Sequence, residues 1–211
     1  MVIVGGGSST RFGGDKLMIE VEGRPLIAHT IDAIAEHVDV CVVVCRAEHV
    51  ETVEKLREDI TVAPGGSTRT SSEMAGLAAI GLEIDLIGIH DAARPTVDPA
   101  LIERLFDVAR SEGGAVPLVS YDRLILDKRT VQPVPGLHAA QTPQVFRGPD
   151  LMSAYVRAAQ TGYEGHDTVE VMHRFSDVRI VGVAGDRDNV KVTYPRDLDR
   201  IRDRLSGSSH T

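Results

Sequence analysis

The sequence predicts an α/β domain: a mainly parallel sheet with helices on both faces. Three observations point to it. Short β-branched or aliphatic runs alternate with segments of helical period along most of the 211 residues. One run, residues 85–90, is almost continuous in Leu and Ile, as in a strand covered on both faces, and several strands end in glycine-rich or charged turns. The length suits one well-buried domain rather than two.

The first strand, Val2-Ile3-Val4, opens into Gly5-Gly6-Gly7-Ser8-Ser9-Thr10-Arg11-Phe12-Gly13-Gly14-Asp15-Lys16. This reads as a loop built around phosphate: glycines let backbone N–H groups turn toward an anion, and Arg11 and Lys16 add fixed positive charge. It is neither a Walker pattern nor a clean Gly-x-Gly-x-x-Gly, so by itself it also fits a tight strand-to-loop connection. Residues 17–21 form a short extended piece and Glu22-Gly23 a turn. Pro25 begins a helix to about residue 37, with Leu26, Ile27, Thr30, Ile31, Ile34 and Ala35 on one face. A strand at 40–45, a charged helix at about 49–58 and a strand at 60–63 follow. Cys41 and Cys45 share one face of their strand at period 2 and read as buried thiols, since no partner stands at ligand spacing.

A second glycine turn, residues 64–69, precedes Thr70-Ser71-Ser72-Glu73, which has capping-box spacing for an apolar helix at 74–80. The strand at 85–90 ends in His90-Asp91-Ala92-Ala93-Arg94-Pro95. Asp98-Pro99 then starts a helix to about residue 111, and 115–118 is a strand. The alternation lapses over residues 120–147, which carry Pro133, Pro135 and Pro143 and only short apolar pieces such as Leu124-Ile125-Leu126. This stretch is expected to be an extended β-arm or hairpin insertion, and an arm that cannot bury its own apolar residues favours a homodimer. Helices at 149–160 and 167–174, a strand at 178–183, the segment 189–193 and a closing helix at 195–205 complete a single domain over 1–205, with 206–211 as a flexible tail. Asp167 serves as a helix N-cap, and His166 and His173 lack a third ligand at metal spacing.

The net charge of −8 and a pI near 5.5 exclude a broad nucleic-acid or acidic-membrane surface. With no apolar run near the roughly 20 residues of a membrane span and no signal-peptide pattern, a cytoplasmic location is expected. Any positive site must therefore be local. Open α/β sheets bind ligands beyond the carboxyl ends of their strands, and four features fall there: the first loop, Gly65-Gly66, Asp91 with Arg94, and Lys191. Asp91 offers a hard oxygen ligand for Mg²⁺, while Arg11, Lys16, Arg94 and Lys191 can neutralise phosphate. Singly, each has a plainer reading as a turn cap or a solvated charge. Together they favour nucleotide chemistry.

Five pieces in order, Gly5-Gly6-Gly7 through Lys16, Gly65-Gly66 with Arg69 and Ser72, His90-Asp91-Ala92-Ala93-Arg94-Pro95, Gln141-Thr142-Pro143-Gln144, and Asn189-Val190-Lys191-Val192-Thr193, span nearly the whole chain. In them the sequence resembles the 2-C-methyl-D-erythritol 4-phosphate cytidylyltransferases and their ribitol-5-phosphate relatives. The first loop alone is also similar to molybdenum-cofactor guanylyltransferases.

The resemblance implies a Rossmann-like nucleotidyltransferase domain with a dimerising arm, transferring a cytidylyl group from CTP, with Mg²⁺, to a polyol phosphate. It implies that Gly5, Gly6, Gly7, Ser8, Ser9, Gly65, Gly66, Arg69 and Ser72 hold the nucleotide, that Arg11, Lys16 and Lys191 are catalytic cations, and that Asp91 holds the metal. Arg94 and Thr142 would meet the acceptor. The arm departs from the family pattern: Arg123 stands where a threonine is usual and Val134 where an arginine is usual, so Arg123 is the candidate that restores charge toward the acceptor phosphate, ahead of Lys128 and Arg129. The acceptor implied first is 2-C-methyl-D-erythritol 4-phosphate, in isoprenoid precursor synthesis. Ribitol 5-phosphate is the same-chemistry alternative, and a nucleotide-binding paralogue without turnover is the alternative of another class.

Overall fold

A computed structural model of the chain describes residues 1–6, 12–81, 84–121, 124–125, 133–134 and 136–207. In chain order the elements are β1 (Val2–Val4), β2 (Glu20–Val21), β3 (Arg24–Pro25), α1 (Leu26–Ala35), β4 (Val42–Cys45), α2 (Val50–Glu54), β5 (Thr61–Pro64), α3 (Arg69–Ile80), β6 (Leu86–Asp91) and α4 (Pro99–Glu112). They continue with β7 (Gly113–Ser120), β8 (Leu124–Ile125), β9 (Pro133–Val134), β10 (His138–Ala140), β11 (Gln144–Arg147), α5 (Gly148–Thr161), α6 (Thr168–Phe175), β12 (Arg179–Ala184) and α7 (Asp197–Gly207).

Eight of the strands make one sheet, running β10-β7-β11-β6-β1-β4-β5, with β12 parallel to β7. Pairs β1–β4, β1–β6 and β4–β5 are parallel, and β10 and β11 run antiparallel to their neighbours. The expected mainly parallel sheet is therefore present. Alternate residues of the central strands feed two separate cores. Ile3, Val43, Cys41 and Cys45 face a core completed by Leu26, Ile31 and Ile34 of α1, Leu101 and Leu105 of α4, and Leu198 and Ile201 of α7. Val2, Val42 and Val44 face the other, completed by Leu77 and Ile80 of α3, Leu151 and Tyr155 of α5, and Val171 and Met172 of α6. Helices cover both faces, as the nearly uninterrupted apolar strands require. Each large aliphatic side chain withdrawn from water here stabilises the fold by about 1.5–3 kcal/mol.

Several boundaries follow local chemistry. Asp98 accepts from the Ala100 N–H ahead of Pro99, and Asp167 accepts from the Glu170 N–H, so both expected caps are made. The third helix starts earlier than the sequence reading placed it. Thr68 is its N-cap, and Thr68 and Ser71 form the reciprocal capping box instead of Thr70 and Glu73. Residues 17–21 are not wholly extended, since Lys16–Met18 is one turn of 3₁₀ helix capped by Asp15.

The largest correction concerns the 120–147 stretch. Its last part is no arm: β11 lies inside the main sheet between β6 and β7, with Val145 and Phe146 fully buried, and β10 extends along the same edge of β7. The register between β7 and its antiparallel neighbours shifts by two residues from β10 to β11, which places Gln141, Thr142 and Pro143 in a bulge directed at the end of β6; the Thr142–Pro143 peptide is cis. Further out, β8 and β9 pair antiparallel, a hairpin fragment within residues 120–136.

Candidate active site

Asp91 ends β6 beside the end of β1, with Val4 its register partner, and the site is assembled around its carboxylate. Three cations from three separate segments converge on it. Arg69, the first residue of α3, places Nη1 at 2.7 Å from Oδ1; Lys191 places Nζ at 2.8 Å from Oδ2; Arg94, one turn beyond β6, places Nε at 3.4 Å from Oδ2. Burial opposes ionisation of Asp91, but Arg69, Lys191 and Arg94 outweigh it and hold the carboxyl well below its ordinary value. The result is a buried carboxylate with an excess of positive charge around it.

Each cation is in turn anchored. Arg94 Nη1 donates to the Asn189 carbonyl at 2.7 Å, which ties the end of β6 to the segment carrying Lys191. Arg69 Nε lies 2.9 Å from Glu73 Oε1, within ion-pair reach though not aligned as a hydrogen bond. Glu73 is fully buried and accepts from Tyr155 Oη at 2.5 Å and Thr168 Oγ1 at 3.1 Å, hydroxyls brought by α5 and α6. Burial pushes the Glu73 carboxyl up, with Arg69, Tyr155 and Thr168 pulling it back. Lys16, leading the 3₁₀ turn, donates to the Val192 carbonyl at 2.8 Å and so also reaches the Lys191 segment.

The glycines shape the other wall. A Cβ on Gly6 would stand 2.6 Å from Ser72 Oγ, and one on Gly65 would stand 3.0 Å from the same atom and 3.2 Å from Gly6 Cα. The ends of β1 and β5 and the first turn of α3 thus meet with no room for side chains, leaving backbone as the surface a ligand would meet. Gly5 donates its N–H to the Val44 carbonyl at 2.7 Å, and a Cβ there would meet Leu17 and Ala92. Gly66 packs on Ser71, and Ser72 Oγ donates to the Thr68 carbonyl at 2.8 Å.

The structure therefore brings together Gly5, Gly6, Gly65, Ser72, Arg69, Asp91, Arg94, Lys191 and Lys16. Thr142, expected at the acceptor, is 3% exposed; its Oγ1 accepts from the Asp91 backbone N–H at 3.0 Å and lies 3.2 Å from His90 Nδ1, so it braces the end of β6 from behind. Gly7, Ser8, Ser9, Arg11, Arg123, Lys128 and Arg129 lie outside the described residues, as does the side chain of Val134.

Three contributors were missed in the sequence. Glu73 has the spacing of a capping-box residue, but its spacing with Gly76, Leu77 and Ile80 puts it on the buried stripe of α3, and a carboxylate on such a stripe signals a buried partner. Gln141 clamps the 186–189 loop, with Nε2 donating to the Asp186 and Asn189 carbonyls at 2.6 and 3.1 Å and Oε1 accepting from the Asp186 N–H at 3.1 Å. Asp15 accepts from His49 at 2.5 Å and from Arg46 at 3.4 Å, which fixes the residue preceding Lys16 to the loop after β4. Asp15, Glu48 and His49 are also the one trio of metal-capable side chains gathered among the described residues, and Arg46 already bridges the two carboxylates.

Glycine backbone at the ends of β1 and β5, facing a buried carboxylate ringed by cations at the end of β6, defines an α/β domain of the nucleotidyltransferase type. The comparisons agree. Residues 1–205 match the family described as IspD: 2-C-methyl-D-erythritol 4-phosphate cytidylyltransferase, and the chain belongs to that family.

The chain is 35% identical over 227 residues to the bifunctional enzyme IspD/IspF of Rhizorhabdus wittichii, covering 100% of this chain and 57% of that protein. It is also 35% identical over 227 residues to the one of Sinorhizobium medicae, covering 98% and 56%. The chain thus spans about half the length of the curated relatives it matches. Among solved structures, 2-C-methyl-D-erythritol 4-phosphate cytidylyltransferase from Thermus thermophilus superposes with a TM-score of 0.82 at 26% identity, covering 98% of both chains. A 4-diphosphocytidyl-2C-methyl-D-erythritol synthase from Anaerococcus prevotii has the same fold, with a TM-score of 0.84 at 23% identity, covering 97% and 96%.

Proposed function

We propose that this chain transfers a cytidylyl group from CTP to 2-C-methyl-D-erythritol 4-phosphate, giving the CDP-linked polyol and pyrophosphate. The observation that carries the reading is the convergence of Arg69, Arg94 and Lys191 on one buried carboxylate beyond the sheet's carboxyl edge. Two anions must meet there, and the pyrophosphate leaving group gains charge as it departs, so fixed cations that need no reorganisation are the main catalytic requirement. No covalent nucleophile is needed. An oxygen of the acceptor phosphate attacks the α-phosphorus in line, the bond from α-phosphorus to the bridging oxygen breaks, and the electron pair leaves with pyrophosphate.

In this reading Gly5, Gly6, Gly65 and Ser72 seat the nucleoside, with Gly7, Ser8 and Ser9 continuing the first loop. Lys16 and Arg11 neutralise the triphosphate, Arg69 draws the α-phosphate toward Asp91, and Lys191 and Arg94 face the incoming phosphate. Asp91 is the ionised oxygen donor that would hold a hard divalent cation; its two oxygens are paired with Arg69 and Lys191 in this structure, so the metal would take the place of those cations as they turn to the phosphates, and phosphate oxygens and water would complete the coordination that Mg²⁺ favours. When bound, Mg²⁺ would supply further charge neutralisation on the phosphates.

We place the protein in the cytoplasm and read it as a homodimer joined through the arm around residues 120–136. No helix among the described residues is long and apolar enough to cross a membrane. Sedimentation at micromolar concentration tests the dimer, and a monomer would remove that part. The activity itself is tested by pyrophosphate release from CTP across a panel of polyol and sugar phosphates; release with none of them would overturn the reading.

A further inference from the structure

The positive charge does not end at Asp91. Beside Arg94 and Lys191 lies a cavity of about 440 Å³, bounded by the end of β7, by β10, by the loop 187–191 and by α7. Its wall carries four cations, Arg94, Arg187, Lys191 and Arg200, and no Asp or Glu side chain. In a chain of net charge −8 this is a marked local reversal of sign. The two inner cations are engaged with Asp91. The two outer ones are not: Arg187 donates to the Ser120 carbonyl at 3.3 Å and makes no ion pair among the described residues, and Arg200 reaches only Asp188, at 4.0 Å.

The outer pair is also held in place. Arg200 Nη2 donates to the Arg187 carbonyl at 3.4 Å, linking α7 to the loop. The loop itself is pinned by Gln141 at Asp186 and Asn189, by Thr96 Oγ1 donating to the Asp188 carbonyl at 2.6 Å, and by Arg94 at Asn189. Arg187 is therefore presented from a backbone ordered before any ligand arrives, which lowers the cost of binding. Guanidinium groups match phosphate oxygens in geometry as well as charge. The volume falls in the range of small-molecule sites.

We propose that Arg187 and Arg200 hold the phosphate monoester of the acceptor, within the same protomer, at the outer side of this cavity. One phosphate dianion balances two guanidiniums, and Lys191 and Arg94 line the same cavity. The proposal rests on the nucleotidyltransferase reading for its choice of acceptor. It assigns to the 186–200 region charge that the sequence reading sought in the arm.

The test compares wild type with Arg187→Gln, Arg200→Gln, the double variant and Arg187→Lys. Calorimetric titrations use CTP, 2-C-methyl-D-erythritol 4-phosphate, the unphosphorylated polyol and inorganic phosphate, with acceptor KM and kcat measured in parallel. The double variant is expected to bind the phosphorylated acceptor at least tenfold more weakly and to raise its KM by a similar factor. CTP affinity and melting temperature should be unchanged, the discrimination against the unphosphorylated polyol should shrink, and Arg187→Lys should recover part of the loss. Unchanged affinity for the phosphorylated acceptor, or an equal loss for CTP, would overturn the proposal. If wild type binds CTP and phosphate but releases no pyrophosphate, the function reading fails by itself, while the phosphate titrations still decide the role of the two arginines.

Discussion

Replacing Glu73 by Ala should damage both stability and the site. Glu73 is fully buried on α3, accepts the hydroxyls of Tyr155 and Thr168, and lies 2.9 Å from Arg69. Alanine leaves two buried hydroxyls without an acceptor, at about 1–3 kcal/mol each. Arg69 keeps Asp91 as a partner, so the full penalty of a bare buried charge does not arise. The expected loss is about 4 kcal/mol, a large part of the 5–15 kcal/mol typical of a domain, and roughly 8–16 °C in melting temperature at this size. Glu73→Gln keeps an acceptor of the same shape and should melt within about a third of that loss, yet it removes the charge that steadies Arg69 and should lower kcat. The pH dependence has a definite sign. Because burial raises the Glu73 carboxyl above its unfolded value, its contribution favours folding most at low pH and declines as pH rises through the raised value. Thermal melts of wild type and Glu73→Gln from pH 4 to 8 should therefore show the variant gaining relative to wild type as pH increases. An Ala variant that melts within about 2 °C of wild type, or a Gln variant as unstable as Ala, would refute the reasoning.

Lys16→Ala and Lys191→Ala should each reduce turnover by about 100-fold or more while shifting stability by no more than about 1 kcal/mol, read by steady-state kinetics beside thermal melts. Gly148→Ala should destabilise by about 1–3 kcal/mol in urea titration, because a Cβ there runs into the Ile84 carbonyl oxygen of the backbone, which cannot rotate away. Burial pushes both Cys41 and Cys45 up to about 11, so only about a thousandth of either is thiolate at pH 8; a thiol reagent should label neither in the native protein within minutes and both after denaturation.

The fold was legible wherever a strand or helix advertised its own environment. Val2-Ile3-Val4 and the 40–45 run read as strands and the 85–90 run as a strand covered on both faces, and Asp98 and Asp167 announced the helices they cap. What stayed hidden depends on partners distant in sequence. Gln144–Arg147 is a central strand because β6 and β7 flank it, and nothing in four residues after a proline reveals that. The site followed the same division. Asp91, Arg94 and Lys191 were readable from their residue types and their places at strand ends. Glu73, Gln141 and Asp15 act through contacts that only the folded chain creates: Tyr155 lies 82 residues from Glu73, and Asp186 lies 45 residues from Gln141.

The most direct test of the central claim is pyrophosphate release by the purified chain given CTP, Mg²⁺ and 2-C-methyl-D-erythritol 4-phosphate, with the CDP-linked product measured alongside. The account predicts that pyrophosphate and CDP-linked polyol form in equal amounts, that neither forms without the acceptor, and that Lys191→Ala nearly abolishes both. A folded, CTP-binding protein that releases no pyrophosphate, or a Lys191→Ala variant with full turnover, would contradict it.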